Sequence, residues 1–236
     1  MARKPLGCRA VVSEIRALGP EILEADLAMQ EPPRLAFDAG QWVSVPLGGK
    51  TVRAYSIASP PRLASRITLC ADVAPAGPGS RWFRALAPGA EVSFNGPLGG
   101  FVFSRADPRR PFFVAEEIGI VPIRAILTEL YETDFARATA LVFWGRDPAW
   151  LPYDAEFRAL ARRVPAFSYH PVVRDTGAGW SGTRGAVGDV VEAVVPSVAG
   201  MVAYVAGGAA TINRVREVLM AKGLDRKSVK WEKFYG

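Results

Sequence analysis

The segment Asp107-Pro108-Arg109-Arg110-Pro111 separates two halves of different apolar period, and that change limits what the chain can fold into more than any other feature. Upstream, short apolar stretches recur between Gly and Pro, the rhythm of strands joined by tight turns. Downstream, strand-length apolar runs alternate with helical segments, which is the pattern of a parallel sheet built from β-α-β units. Two domains are therefore expected: an antiparallel β-barrel over residues 1–107 and a doubly wound α/β domain, with helices on both faces of its sheet, over residues 108–236. The chain has 236 residues, half of them hydrophobic, enough for two modest cores.

In the second half the pattern predicts strands at Phe112–Ala115, Ala140–Trp144, Ala166–Val173, Met201–Val205 and Val229–Phe234. Helices are predicted at Pro122–Glu132, Tyr153–Arg163, Ala186–Val194 and Ala210–Lys222. Such sheets bind ligands at the carboxyl ends of their strands. Gly119, Gly145 and Gly207 all fall there, marking that rim as a place where backbone meets ligand.

In the first half, Arg53-Ala54-Tyr55-Ser56-Ile57-Ala58-Ser59 puts an arginine, a tyrosine and a serine on one short strand. At period two, Arg53, Tyr55 and Ile57 face one way and Ser56 the other. A guanidinium fork pairs with phosphate, a phenol ring covers an aromatic face, and a small hydroxyl bonds a heteroatom. Together they suit a flat anionic cofactor. Gly77-Pro78-Gly79-Ser80 precedes a short helical pattern over Arg81–Leu86, with Ser80 as the expected N-cap, and free backbone N–H groups at such a start suit a pyrophosphate. Gly96-Pro97-Leu98-Gly99-Gly100-Phe101 reads as a tight turn between Val92–Phe94 and Phe101–Phe103, both strand-like.

On these three motifs the chain resembles the ferredoxin-NADP reductase family of FAD flavoproteins. Arg53–Ser56 is similar to its RxYS box, Gly77–Ser80 to its pyrophosphate-binding GxxS segment, and Gly96–Phe101 to its GPxGxF turn. The likeness runs on through Ile118–Arg124, similar to the end of the GGTGIAPxRS loop, and Leu141–Arg146, similar to the second strand and turn of the nucleotide domain. Tyr204–Gly208 stands where the family writes YVCGP, and Glu232-Lys233-Phe234 where it writes a terminal glutamate and an aromatic residue.

The resemblance implies hydride transfer between a nicotinamide, NADPH or NADH, and FAD, whose electrons then pass to an acceptor. It gives Arg53 to an FAD phosphate, Tyr55 to the ring system, Ser56 to a hydrogen bond near the reacting nitrogen, and Gly77, Gly79 and Ser80 to the pyrophosphate. Ala54, Cys70 and Asp72 complete the flavin-binding set. Gly119, Pro122, Gly145, Arg146, Arg174 and Gly207 are assigned to the nicotinamide nucleotide, with Arg184 a further candidate for its adenosine phosphate. Glu232 is the proton-linked group beside Ser56 in the catalytic pair, and Phe234 the aromatic that competes with nicotinamide, although Tyr235 and Gly236 extend past it.

Three departures from the family pattern cluster on the nicotinamide half. Glu116 and Glu117 replace two glycines, Ile118 replaces threonine, and Ala206-Gly207-Gly208 lacks the cysteine and proline of YVCGP. Side chains on the glycine positions crowd a pyrophosphate, and carboxylates repel it. The alternative place for them is against the helix opening at Pro122, whose N-terminus favours negative charge. Two readings stay open: a working reductase, and an FAD-bearing subunit that relays electrons between protein partners without binding free NAD(P)H well. An FAD-binding regulatory protein without turnover is a remote third.

Two cysteines, Cys8 and Cys70, and one histidine, His170, exclude a disulfide framework and a metal or iron–sulfur site supplied by this chain alone. Any iron–sulfur partner is then separate, and a ferredoxin, a flavodoxin or a partner redox subunit is expected. The net charge of +6 divides evenly, +3 in each half, with no basic run longer than Arg109-Arg110, so nucleic acid is a poor fit and an acidic electron carrier a better one. Residues 193–212 run without a charge but contain Pro196, Gly200, Gly207 and Gly208, which speaks for a buried strand with turns rather than a membrane span. Nothing at the amino terminus resembles a signal peptide, so a cytoplasmic location is expected.

Overall fold

The computed structural model describes residues 5–174 and 180–234. The chain divides into two compact units, Met1–Phe103 with Arg124–Thr133, and Ser104–Ile123 with Asp134–Gly236.

The first unit runs β1 (Leu6–Gly19), β2 (Ile22–Glu31), β3 (Trp42–Pro46), β4 (Val52–Ser56), β5 (Arg66–Asp72), α1 (Pro78–Arg84) and β6 (Glu91–Leu98). Its sheet is antiparallel throughout, in the order β4-β3-β6-β1-β2-β5. Just past β4 the chain reaches the far edge: Ile57 bridges to Leu69 of β5, and the Ala58 N–H donates to the Thr68 carbonyl at 2.8 Å. That closes the sheet into a barrel. Alternation sends Ala10 and Val12, Ala25 and Leu27, Val43 and Val45, Ile67 and Leu69, and Val92 and Phe94 inward, with Phe83 of α1 among them. Each large side chain buried there contributes about 1.5–3 kcal/mol. The other face of β2 carries Glu24 and Asp26, buried but paired: Arg16 bonds Glu24 through Nε at 2.9 Å, and Thr68 Oγ1 donates to Asp26 at 2.6 Å.

Two local expectations differ from the structure. β6 continues through Gly96-Pro97 to Leu98, and Phe101–Phe103 form no strand. Gly96 lies so close to Val43 that a Cβ would sit 2.9 Å from its Cγ1, so the chain stays paired with β3, and the turn comes at Gly99, with φ +94. The helix expected at Arg81 begins three residues earlier, at Pro78, with Gly77 as N-cap and Ser80 inside the first turn. Proline's fixed φ suits a helix start, and that outweighs the serine signal.

The second unit begins with β7 (Arg110–Glu116), a short 3₁₀ turn over Glu117–Gly119, and α2 (Ile120–Tyr131), of which the residues from Arg124 on belong to the first unit. There follow β8 (Thr139–Gly145), α3 (Asp154–Arg163), β9 (Phe167–Val173), the two-residue β10 (Thr183–Arg184), α4 (Val187–Val194), β11 (Met201–Gly207), α5 (Ala209–Ala221) and β12 (Val229–Lys233). All six strands are parallel, in the order β10-β9-β8-β7-β11-β12. Val114, Val142, Val172 and Val205 pack against Val191 of α4 and Val215 and Leu219 of α5. On the other face Phe143 meets Phe157 of α3 edge to face, at 6.4 Å. Ahead of β7, Arg109 binds Asp107 through Nε and Nη2 and holds its carboxyl down at about 2. Among the described residues no helix is long and apolar enough to cross a membrane.

Candidate functional site

In the first unit, β4 carries the Arg-x-Tyr-Ser motif on a strand that pairs in register with β3. Tyr55 is buried and Arg53 exposed on the same side; Ala54 is exposed and Ser56 buried on the other. The Tyr55 hydroxyl donates to the Gly79 carbonyl at 3.2 Å, which ties the strand to the first turn of α1. Its ring lies 5.3 Å from Trp82 and 5.5 Å from Phe83, and burial pushes its hydroxyl up to about 12. Arg53 stretches along the same glycine, so that a Cβ on Gly79 would come within 3.2 Å of Arg53 Cγ and 3.1 Å of the Tyr55 hydroxyl.

Among the described residues no side chain caps α1, its first turn holds no acid, and beside Gly77 there is open space where a Cβ would stand. The first N–H groups of a helix have no intrahelical partner. An exposed guanidinium, a tyrosine and a glycine-opened helix start thus converge on one spot, and they fit the phosphates and ring of a flavin dinucleotide. Cys70 and Asp72 lie on β5; Cys70 is buried, and Asp72 accepts the Ala74 N–H at 2.8 Å. Trp82 is the residue sequence reading missed here. The signal that could have found it was its place two residues past the Gly-x-x-Ser segment.

In the second unit, Gly119, Gly145 and Gly207 stand at or just beyond the carboxyl ends of β7, β8 and β11. Gly119 is a point of close backbone approach: a Cβ there would lie 2.3 Å from the Ala206 carbonyl oxygen. Gly119→Ala is expected to cost at least 1–3 kcal/mol, because backbone atoms cannot yield as a flexible side chain does. A urea midpoint equal to wild type would contradict this. Pro122 is buried within the first turn of α2.

The two glutamates have their own partners. Glu117 is buried and left-handed, with φ 46, in a turn where glycine is the easy residue. Its carboxylate takes Arg146 Nε at 2.7 Å and Nη2 at 2.6 Å, a two-pronged ion pair, and the Arg146 backbone N–H at 3.2 Å. Arg146 then lies over Trp150, 3.8 Å from the ring centroid. Glu116 Oε2 accepts the Gly208 N–H at 2.6 Å, at the N-cap of α5. The acids therefore complement Arg146 and the α5 N-terminus, where the sequence had suggested the start of α2. Trp150 was missed by sequence reading; its signal is its position in the turn directly after a strand end, where Asp147 caps the backbone by accepting the Ala149 N–H at 2.8 Å.

Arg174 follows β9 directly: its N–H donates to the Gly145 carbonyl at 2.9 Å, and its guanidinium lies 6.0 Å from the Trp144 ring. Arg184 is exposed on β10. Glu232 pairs in register with Ala206, and the Phe234 N–H bonds the Gly207 carbonyl at 2.9 Å, so the terminal segment joins the same rim. Tyr235 and Gly236 lie outside the described residues.

Residues 9–103 match the model of the oxidoreductase FAD-binding domain, and residues 113–217 that of the oxidoreductase NAD-binding domain. The chain is 31% identical over 241 residues to ferredoxin–NADP reductase B of Sorangium cellulosum, covering 98% of each chain. It is 29% identical to DmpP, the phenol 2-monooxygenase reductase component of a Pseudomonas species, over 96% of this chain and 65% of that one. The fold is shared with the Amycolatopsis cytochrome P450 reductase GcoB at TM-score 0.90 and 24% identity, over 99% of this chain and 71% of that one. With both domain models in order and a relative matched from end to end, this chain belongs to the ferredoxin–NADP reductase family and is a flavin-dependent reductase with FAD as its cofactor.

Proposed function

We propose that this protein takes electrons from a free nicotinamide dinucleotide and passes them through FAD to a separate electron-carrier protein. The observation that carries the reading is the Glu117–Arg146 pair: the buried carboxylate that would repel a pyrophosphate is neutralised in place by a two-pronged guanidinium. A relative named as a ferredoxin–NADP reductase supports the pairing of a nicotinamide nucleotide with a carrier protein, and one named as a monooxygenase reductase component supports flow towards a partner.

FAD, when bound, accepts a hydride and releases its two electrons together or singly. Arg53 would hold its phosphate charge, Tyr55 its ring, and Gly77, Gly79 and Ser80 its pyrophosphate, with Ala54, Cys70 and Asp72 lining the remainder. Ser56 would hydrogen-bond the reacting edge, and Glu232 would exchange the proton that accompanies the hydride. Gly119, Pro122, Gly145 and Gly207 would let the nicotinamide nucleotide approach the backbone, with Arg146, Arg174 and Arg184 answering its phosphates and Phe234 competing with the nicotinamide ring.

A second reading rests on Glu116. Its carboxylate already occupies the Gly208 N–H, as a tethered anion where an incoming nucleotide would look for donors. If that contact persists, free NAD(P)H binds poorly and the protein relays electrons between partners. Anaerobic addition of NADPH or NADH to the FAD-loaded protein separates the two. Bleaching of the flavin within seconds at micromolar nucleotide is the expected result, and a flavin that stays oxidised with millimolar nucleotide, yet is reduced by a carrier protein, favours the relay.

A further inference from the structure

The parallel sheet runs β7, β8, β9, β10 to one side and β11, β12 to the other, so its strand order reverses between β7 and β11. Dinucleotides bind such sheets in the crevice at that reversal, beyond the carboxyl ends of the strands. Near the end of the second strand, an acid that bonds the 2′-hydroxyl of the adenosine ribose marks an NAD site, and an arginine that takes the 2′-phosphate marks an NADP site. The second strand here is β8, and Arg146 directly follows its last residue, Gly145. By residue type and position alone, Arg146 marks an NADP site.

Its charge, however, is already taken. The Glu117 side chain, 5% exposed against 42% for Arg146, holds the guanidinium on two prongs and accepts the Arg146 backbone N–H as well. A left-handed backbone and a buried carboxylate are both unfavourable, and the pairing with Arg146 offsets them. Trp150 fixes the same guanidinium from its flat side. Asp147, next in the chain, brings a second carboxylate to the turn, so that Glu117 and Asp147 together outweigh Arg146. Arg174 and Arg184 belong to the ends of β9 and β10, further out from the reversal.

A phosphate monoester brings a charge of about −1.5 to −2 at pH 7. At this turn it would compete with Glu117 for one guanidinium, in surroundings with no positive charge to spare. A ribose hydroxyl brings no charge, and it both donates and accepts hydrogen bonds. The pair still offers N–H donors to a nucleotide, but it adds no net charge to hold an extra phosphate.

We infer that the Glu117–Arg146 pair sets the choice of nucleotide, and that it selects NADH, with its 2′-hydroxyl, over NADPH. The inference rests on the reductase reading, for which it names the electron donor.

The test is calorimetric titration of the oxidised, FAD-loaded protein with NAD⁺ and with NADP⁺, which differ only in that phosphate and are not turned over. Wild type should bind NAD⁺ at least tenfold more tightly. Glu117→Gln keeps the bulk and removes the competing charge; it should tighten NADP⁺ at least tenfold while NAD⁺ changes less than threefold. The gain should shrink at roughly 0.3 M salt, where surface charges are screened. Adding Arg146→Gln to Glu117→Gln should abolish it. Wild type binding NADP⁺ as tightly as NAD⁺ overturns the inference whether or not any variant folds. So does unchanged NADP⁺ affinity in folded, FAD-loaded Glu117→Gln, and so does a gain that survives the loss of Arg146, which would belong to Arg174 or Arg184. If wild type binds neither nucleotide, the nicotinamide reading fails on its own account. The same comparison in Glu116→Gly, with the Gly208 N–H released, then decides the choice, and equal affinities or no binding there overturn the inference.

Discussion

Arg53→Ala is expected to purify largely without FAD, with affinity for added FAD reduced ten- to a hundredfold. The side chain is exposed, runs beside Gly79, and among the described residues hydrogen-bonds from Nη1 to the neighbouring Val52 carbonyl at 2.9 Å. That bond contributes little to the fold, while a charge-assisted bond to phosphate is worth roughly 1.5–3 kcal/mol, about one to two decades of affinity. The strand itself should survive, because its pairing of Arg53 with Val45 is made by backbone. Flavin fluorescence titration gives the affinity and thermal unfolding of the apoprotein gives the stability. An affinity within twofold of wild type would remove Arg53 from the cofactor.

The second large effect belongs to Glu116. Removing its carboxylate frees the Gly208 N–H and the amino end of α5, so Glu116→Gly should tighten nicotinamide-dinucleotide binding tenfold or more. The scale follows from Coulomb's law: two unit charges about 6 Å apart at an effective dielectric of roughly 20 oppose each other by on the order of 3 kcal/mol. Glu116→Gln retains the bulk and loses the charge, and so separates crowding from repulsion. Glu117→Gly should do much less, since Arg146 already cancels that charge. Stopped-flow bleaching across a nucleotide series measures all three. Equal dissociation constants for wild type and Glu116→Gly would show that this carboxylate does not govern nucleotide entry.

The parallel half was legible almost residue by residue, because strands that are buried on both faces read as continuous apolar runs, as at Met201–Gly207, and end in glycine. The barrel was legible in kind, but its turns were not. Gly96-Pro97 looks like a break, and only the close approach of Val43 shows why the strand continues through it. The roles of Glu116 and Glu117 were hidden for a different reason. Whether a carboxylate repels a ligand or serves a neighbour depends on partners that are distant in sequence, here Arg146 and Gly208. Their identities were in plain view as a departure from glycine; the left-handed backbone at Glu117 and the cation waiting for it were not.

The barrel seam has a consequence for exchange with solvent. Beyond β4 the chain is joined to β5 by the bridge from Ile57 to Leu69 and by two hydrogen bonds, from the Ala58 N–H to the Thr68 carbonyl and from the Thr68 N–H to Ser59 Oγ at 3.0 Å, whereas β1 and β2 pair along most of their length. Opening the seam therefore takes less free energy than opening the hairpin, and native-state deuterium uptake should reach the amides of Ala58 and Thr68 ahead of those in β1 and β2. Arg53, Tyr55 and Ser56 lie next to that seam, so if they hold the cofactor as proposed, its binding should slow uptake there without changing the hairpin. Protection at these two amides then reports cofactor residence on the protein, independent of colour or turnover.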